Sequence, residues 1–151
     1  MKFFTKGFVL FALLMSFLNS KAQNQTPKPH LFDAFAPTIS CVQTELDKIF
    51  TTAAGNPIQV AFTGNLSFTG TVLSSLQRYS NLQNVVIKSS LFDGAIFGIS
   101  KRINDDNSIT YVGRIINEKY ADGYELKIDG NGKYYLNKIN MDDLLQDHEL
   151  F

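Results

Sequence analysis

The side chains with the richest chemistry in this 151-residue chain lie close together, between Ile109 and Ile128. This stretch contains Arg114, Tyr120, Asp122 and Tyr124. Arginine and tyrosine are enriched where partners dock, because both combine a broad contact surface with hydrogen-bond donors. The sequence therefore predicts that these four residues form a binding surface.

Two carboxylates in the same stretch raise a second possibility, acid–base catalysis. Asp122 and Glu125 are three residues apart, and a glycosidase needs two carboxylates that flank a cleft. However, Asp122-Gly123 is also typical of a turn, and Glu125 falls on the polar face of a predicted strand. We therefore predict no catalytic residues, and a small carboxylate-based hydrolase remains an alternative.

Metal and nucleophilic sites are poorly supported by the residue types present. The histidines, His30 and His148, lie outside the predicted strands and helix, so a histidine-based zinc or catalytic site would have to be built from both tails. Cys41 is the only cysteine, and its apolar neighbours favour a buried thiol over a nucleophile. We expect no metal and no cofactor.

Two acidic runs could offer oxygen ligands to calcium, but neither has the spacing of an EF-hand loop. They are the run from Asp105 to Asn107 and the run from Asp129 to Asn131. Aspartate and asparagine are also the residues that build turns, which accounts for both runs.

The pattern around the candidate site predicts a three-stranded antiparallel meander. Ile109 to Ile116 carries apolar residues on both faces, which suggests a strand inside a layered structure. Tyr124 to Ile128 alternates apolar and polar residues, and the turn from Asp129 to Gly132 leads to a third strand, Lys133 to Ile139.

The rest of the chain adds a helix and more strands. Apolar residues from Ile39 to Phe50 recur at three- and four-residue steps, which predicts a helix capped by Thr38 or Ser40. After Pro57 the period changes to two, as expected for strands. Asn140 is placed to cap a short C-terminal helix.

These elements predict a mainly β (α+β) fold. We expect an antiparallel meander, sandwich or small barrel of six to seven strands, with one packed N-terminal helix and a short C-terminal helix.

Five segments resemble small exported bacterial proteins of unknown function. They are Phe68–Val72, Val85–Ser90, Tyr111–Ile116, Asp122–Leu126 and Gly132–Leu136. A weaker likeness is to the β-rich propeptides of secreted metalloproteases, in which a Phe-x-Gly-x-Val strand precedes a Gly-x-Ile strand. Because no protease domain follows in this chain, that likeness implies only a binding or inhibitory role.

The first 22 residues predict a secretory signal peptide. A basic start precedes the apolar run Gly7–Leu18, and Ser20 and Ala22 are the small residues expected before a cleavage site. We expect cleavage after Ala22, a flexible leader over residues 23–30, one domain over residues 31–151, and a periplasmic or extracellular location. No membrane anchor is expected after cleavage, because 12 apolar residues are fewer than the roughly 20 that span a bilayer.

Charge argues against one class of partner. The whole chain has 14 basic and 14 acidic residues, and cleavage after Ala22 removes Lys2, Lys6 and Lys21. The remaining 11 basic residues against 14 acidic residues give a net charge of −3. Because phosphate binding needs a basic surface, we expect no nucleic-acid partner.

Together these observations predict an exported, non-catalytic binding module for a protein or envelope component. A propeptide-like protease inhibitor and a small hydrolase are the alternatives. The sequence leaves the ligand and the oligomeric state open.

Overall fold

A computed structural model describes residues 27–141 and residue 143. The predicted signal peptide, residues 23–26 of the predicted leader and His148 lie outside the described residues. The elements in chain order are β1 (Thr38–Cys41), α1 (Gln43–Thr51), β2 (Pro57–Ala61), β3 (Ser67–Tyr79), β4 (Leu82–Ser89), β5 (Ile96–Ile103), β6 (Ile109–Ile116), β7 (Asp122–Ile128) and β8 (Tyr134–Asn140).

All eight strands form one antiparallel sheet that curls into a half-barrel. From β2 to β8 each strand pairs with the next, and β1 pairs with β8 at the far edge, so the order is β1-β8-β7-β6-β5-β4-β3-β2. The predicted meander is confirmed within this larger sheet. The described strands form no second sheet, so the sandwich alternative is not the observed architecture.

The core lies on the inner face of the curled sheet, where the alternating apolar side chains of the strands meet α1. Leu46, Ile49 and Phe50 are the buried stripe of the helix, as the sequence predicted. Phe68 and Phe97 are fully buried on the strands, with ring centroids 5.6 Å apart in an edge-on arrangement. Removal of this apolar surface from water is the main stabilising term.

The predicted start of the helix is wrong. Thr38 and Ser40 do not cap a helix, because Thr38–Cys41 is a strand whose register pairs Ile39 with Leu136. Ile39 and Cys41 are buried and Val42 is exposed, a period of two that the helical interpretation overlooked. Pairing with the edge of β8 overrides local propensity here, and the sheet has eight strands rather than six or seven.

The predicted C-terminal helix would begin after Asn140. This residue is the last of β8 and pairs with Asp122, and Met141, which follows it, is helical. Apart from residues 141 and 143, the remainder of the predicted C-terminal helix lies outside the described residues.

A segment before β1, residues 29–37, crosses the inner side of the sheet and is called the strap below. The Ala121 N–H donates to the Pro29 carbonyl at 2.9 Å, and the Lys138 N–H donates to the Pro37 carbonyl at 2.7 Å. Phe32 is fully buried between these anchors. The end of the predicted leader therefore contacts the domain.

The two ends of the sheet approach each other beside α1. The backbone N–H and the hydroxyl of Thr63, which follows β2, both donate to the Ser40 carbonyl in β1, at 3.1 and 2.9 Å. On the helix side, Glu45 accepts a hydrogen bond from the Ala61 N–H at 2.9 Å. These contacts cover part of the exposed edges of β1 and β2.

Candidate functional site

The four predicted site residues do not share one surface. Arg114 points to the outer, solvent-facing side of the sheet, whereas Asp122 and Tyr124 are buried on the inner side. Tyr120 lies in the loop between β6 and β7. Because successive side chains of a strand point to opposite faces, residues close in sequence are separated here.

Asp122 is an anchor for the strap. Its carboxylate is 1% exposed and accepts hydrogen bonds from the Leu31 N–H at 2.6 Å and the Phe32 N–H at 2.8 Å. A buried carboxylate is stable only when such donors replace its water shell. The described contacts thus assign Asp122 a structural role.

Tyr124 also contacts the strap. Its hydroxyl donates to the Ala36 carbonyl at 2.6 Å, and its ring meets the Phe32 ring edge-on with centroids 5.3 Å apart. Burial, reinforced by the Asp122 charge, raises the pKa of Tyr124 to about 12. Its side chain is inaccessible to a partner.

Tyr120 is partly exposed at the loop end of the sheet. Its hydroxyl lies 3.5 Å from a carboxylate oxygen of Asp93, which also pairs with Lys119 at 3.1 Å. Asn117 is buried below and donates to the Asp93 carbonyl. This polar network joins the two loops at that end of the sheet.

Arg114 belongs to a cluster of three charges on the outer face. Its Nε and Nη2 atoms bond to Oε1 of Glu125 at 3.1 and 2.8 Å, and Lys127 Nζ bonds to Oε2 at 2.8 Å. Lys127 and then Arg114 hold the pKa of Glu125 below its usual range. Two cations around one carboxylate leave a net positive charge at this position.

This cluster forms one wall of the outer groove, an open depression of about 620 Å³ over β5, β6 and β7. Val112 and Ile128 expose about half of their surface there. The floor is low at Gly98, which is paired with Arg114 across β5 and β6 on the outer face and has no side chain. The groove thus combines charge with apolar surface.

The outer groove lies where β6 and β7 separate. The register between them ends at the pair Gly113 and Leu126, although both strands continue. Beyond that point the Tyr134 hydroxyl, from β8, accepts from the Tyr111 N–H and donates to the Ile109 carbonyl, both at 3.2 Å. A side chain therefore satisfies backbone groups that a neighbouring strand would otherwise pair.

A second depression of about 330 Å³ shares Ser100 and Val112 with the outer groove and extends it across β5. Its walls include Leu82 and Arg102. Arg102 is exposed and makes no ion pair with any described residue. The combined surface carries three basic side chains and a single acidic one.

His30 lies beside Asp122 rather than in a detached leader. His30 Nδ1 is 3.4 Å from Asp33 and 3.8 Å from Asp122, and a ligand atom from each of the three lies within 4.8 Å of the others. Both Asp122 oxygens already accept backbone N–H groups. The observed contacts indicate that this cluster attaches the strap to the sheet.

Other sequence candidates are also accounted for by structure. Asp106 accepts from the N–H and hydroxyl of Ser108, and Asp129 accepts from the Asn131 and Lys133 N–H groups. Both acidic runs are therefore turns, as predicted. Cys41 is buried, and burial raises the pKa of its thiol to about 12, which keeps it protonated near neutral pH.

The outer groove is therefore the candidate binding surface, and the inner residues of the predicted site are not. Glu125 and Lys127 alternate with buried residues of β7, and this pattern alone is typical of a solvated face. The separation of β6 and β7 that gives the groove its depth leaves no local sequence signal, because it depends on a side chain from β8.

Comparison with known proteins finds no matching protein-family model, no matching curated protein and no matching solved structure. In the part of the chain that the structure describes, no helix has both the length and the apolar character needed to cross a membrane.

Proposed function

We propose that this protein is an exported, non-catalytic binding module whose outer groove receives an extended, acidic segment of a protein partner. The proposal of export depends on the signal-peptide pattern of residues 1–22. The observation that supports binding at the groove is the pairing of Arg114 and Lys127 with one carboxylate, Glu125, beside exposed apolar surface, with Arg102 in the adjoining depression.

Charge favours an acidic partner. Three cations and one anion give this surface a net charge of +2, although the whole chain is neutral. Complementary charges steer encounters and select partners more than they raise affinity. Val112 and Ile128 add apolar contact, which a segment with aliphatic side chains between its carboxylates would match.

The hydrolase alternative gains little support from the geometry. Asp122 is buried on the inner face, and Glu125 is on the outer face, so the two carboxylates do not flank one cleft. The inhibitor alternative uses the same kind of surface as the binding module, and the identity of the captured partner separates the two.

A site-specific photo-cross-linker tests the proposal. We expect a benzophenone side chain at Val112 to capture one protein from the extracytoplasmic fraction of the host, through a segment rich in Asp and Glu. The same probe at Leu91, which is 66% exposed in the loop after β4, is the positional control. Capture that is equal at both positions, or that maps to a segment without acidic residues, contradicts the proposal.

Charge variants provide the matched test of affinity. The double change Arg114→Gln and Lys127→Gln should weaken binding of the captured segment, and added salt should weaken binding to the original protein, because both reduce the same attraction. Lys119→Gln removes an exposed, ion-paired lysine at the loop end and should leave binding unchanged. A captured protease would favour the inhibitor alternative.

A further inference from the structure

The sheet has one long edge that neither the helix nor another described strand covers. β3 runs to Tyr79, but β2 pairs with it only as far as Thr71. Val72 is still covered, because it accepts from the Gly55 N–H at 2.7 Å and donates to the Asn56 carbonyl at 3.0 Å. The segment Leu73–Tyr79 is therefore an open edge, and its seven residues make it longer than β1 or β2.

The open edge is apolar as well as unpaired. Leu73, Leu76 and Tyr79 are 52%, 47% and 70% exposed. Natural proteins usually cover such edges or place charges on them, since an open apolar edge is a template for another strand. Arg78 is the only charged side chain in the segment.

The direction of the backbone groups follows from the pairing with β4. The two Val72 backbone bonds point away from β4, and between the irregularities at Leu73 and Arg78 the register pairs Ser74 with Val86 and Leu76 with Asn84. By alternation, the N–H and C=O groups of Ser75 and Gln77 point outward. No described residue supplies a backbone partner for them.

We propose that this edge pairs with the same edge of a second copy, forming a two-fold symmetric dimer centred on Leu76. In that antiparallel register Ser75 of each copy faces Gln77 of the other, and the outward groups of both residues exchange hydrogen bonds. The register also places Leu76 against itself and Leu73 against Tyr79, because the apolar residues are spaced symmetrically. An isologous interface requires this kind of self-complementarity.

Charge is compatible with self-pairing. Arg78 faces the uncharged Ser74 of the second copy, so the two arginines are offset by four residues along the strands. At about 3.3 Å per residue this offset is roughly 13 Å. That exceeds the screening length of about 8 Å at physiological salt, so their repulsion is weak.

Sedimentation velocity on protein purified after expression of the full chain tests the proposal, with the N-terminus defined by mass spectrometry. We expect the original protein to show a concentration-dependent dimer. Leu76→Lys places two like charges at the two-fold axis and should give a monomer. A protein that remains monomeric at every concentration examined would overturn the proposal.

A pair of variants with opposite charges distinguishes loss of the interface from loss of the fold. Leu76→Lys and Leu76→Glu should each be monomeric, with the circular dichroism spectrum of the original protein, and their mixture should form a heterodimer. Val112→Lys changes a side chain of similar exposure on the same sheet, away from the edge, and should remain dimeric. A dimer that survives Leu76→Lys, or a mixture that stays monomeric, would also overturn the proposal.

Discussion

The hydroxyl of Tyr134 lies between the Tyr111 N–H and the Ile109 carbonyl and takes the position of a neighbouring strand. The Tyr134 ring packs edge-on against the Tyr111 ring, with centroids 5.4 Å apart. This arrangement lets β6 and β7 separate without leaving these two backbone groups unpaired. The depth of the outer groove therefore depends on a residue of β8 that does not line it.

Removal of this hydroxyl should destabilise the fold. Tyr134→Phe leaves the Tyr111 N–H and Ile109 carbonyl without their partner, and an unsatisfied buried polar group costs about 1–3 kcal/mol. Urea denaturation should show a lower free energy of unfolding. Tyr135→Phe is the control, because the Tyr135 hydroxyl makes no hydrogen bond with a described residue. Equal effects of the two changes would argue against the bridging role.

The attachment of the strap should depend on Asp122. Asp122→Asn removes the charge and leaves one acceptor oxygen for two N–H donors. Because hydrogen bonds to charged groups contribute about 1.5–3 kcal/mol, the free energy of unfolding should fall by that order. Amide exchange at Leu31 and Phe32 should accelerate. Asp33→Asn, at a side chain that is 77% exposed, should change both quantities little. Unchanged exchange in the Asp122 variant would contradict the assigned role.

Cys41 should be inert in the folded protein. Its thiol is 7% exposed and its pKa is raised to about 12 by burial, so little thiolate forms near neutral pH. We expect slow reaction with an aromatic disulfide reagent at neutral pH and rapid reaction in denaturant. Because the folded pKa is raised above the ordinary thiol value of 9.0, this group's contribution to stability is complete below pH 9 and is lost as the pH rises toward 12. Fast labelling of the native protein would contradict the buried placement.

The pKa of Glu125 should lie below the ordinary glutamate value of 4.5, because Lys127 and Arg114 stabilise its charged form. A depressed folded pKa contributes stability above the unfolded pKa and loses it as the pH falls through the folded value. The stability advantage of the original protein over Glu125→Gln should therefore be full above about pH 5 and decline at lower pH. Glu118→Gln, at a carboxylate without an ion pair to any described residue, is the control.

NMR titration of the Glu125 side chain measures the pKa directly. Lys127→Gln should raise it more than Arg114→Gln, since the lysine hydrogen bond is the larger cause. A Glu125 pKa that neither change affects would show that the charged cluster does not persist in solution.

Local sequence determined most of the repeating structure. Alternating residues in β2 and β7, the apolar stripe of Leu46, Ile49 and Phe50, and the turn from Asp129 to Gly132 each act within a few residues, and the structure confirms them. The mainly β architecture follows from the same short-range patterns. Such patterns can be recognised in the sequence because they depend on backbone geometry and immediate neighbours.

Tertiary structure decided the rest. The pattern from Ile39 to Phe50 fits a helix, and only the edge of β8, almost a hundred residues later, makes Thr38–Cys41 a strand. Asp122 anchors the strap because the fold places the Leu31 and Phe32 N–H groups beside its carboxylate. The depth of the groove depends on Tyr134, which belongs to another strand. These outcomes depend on which distant groups meet when apolar surface is buried, and no local pattern encodes that choice.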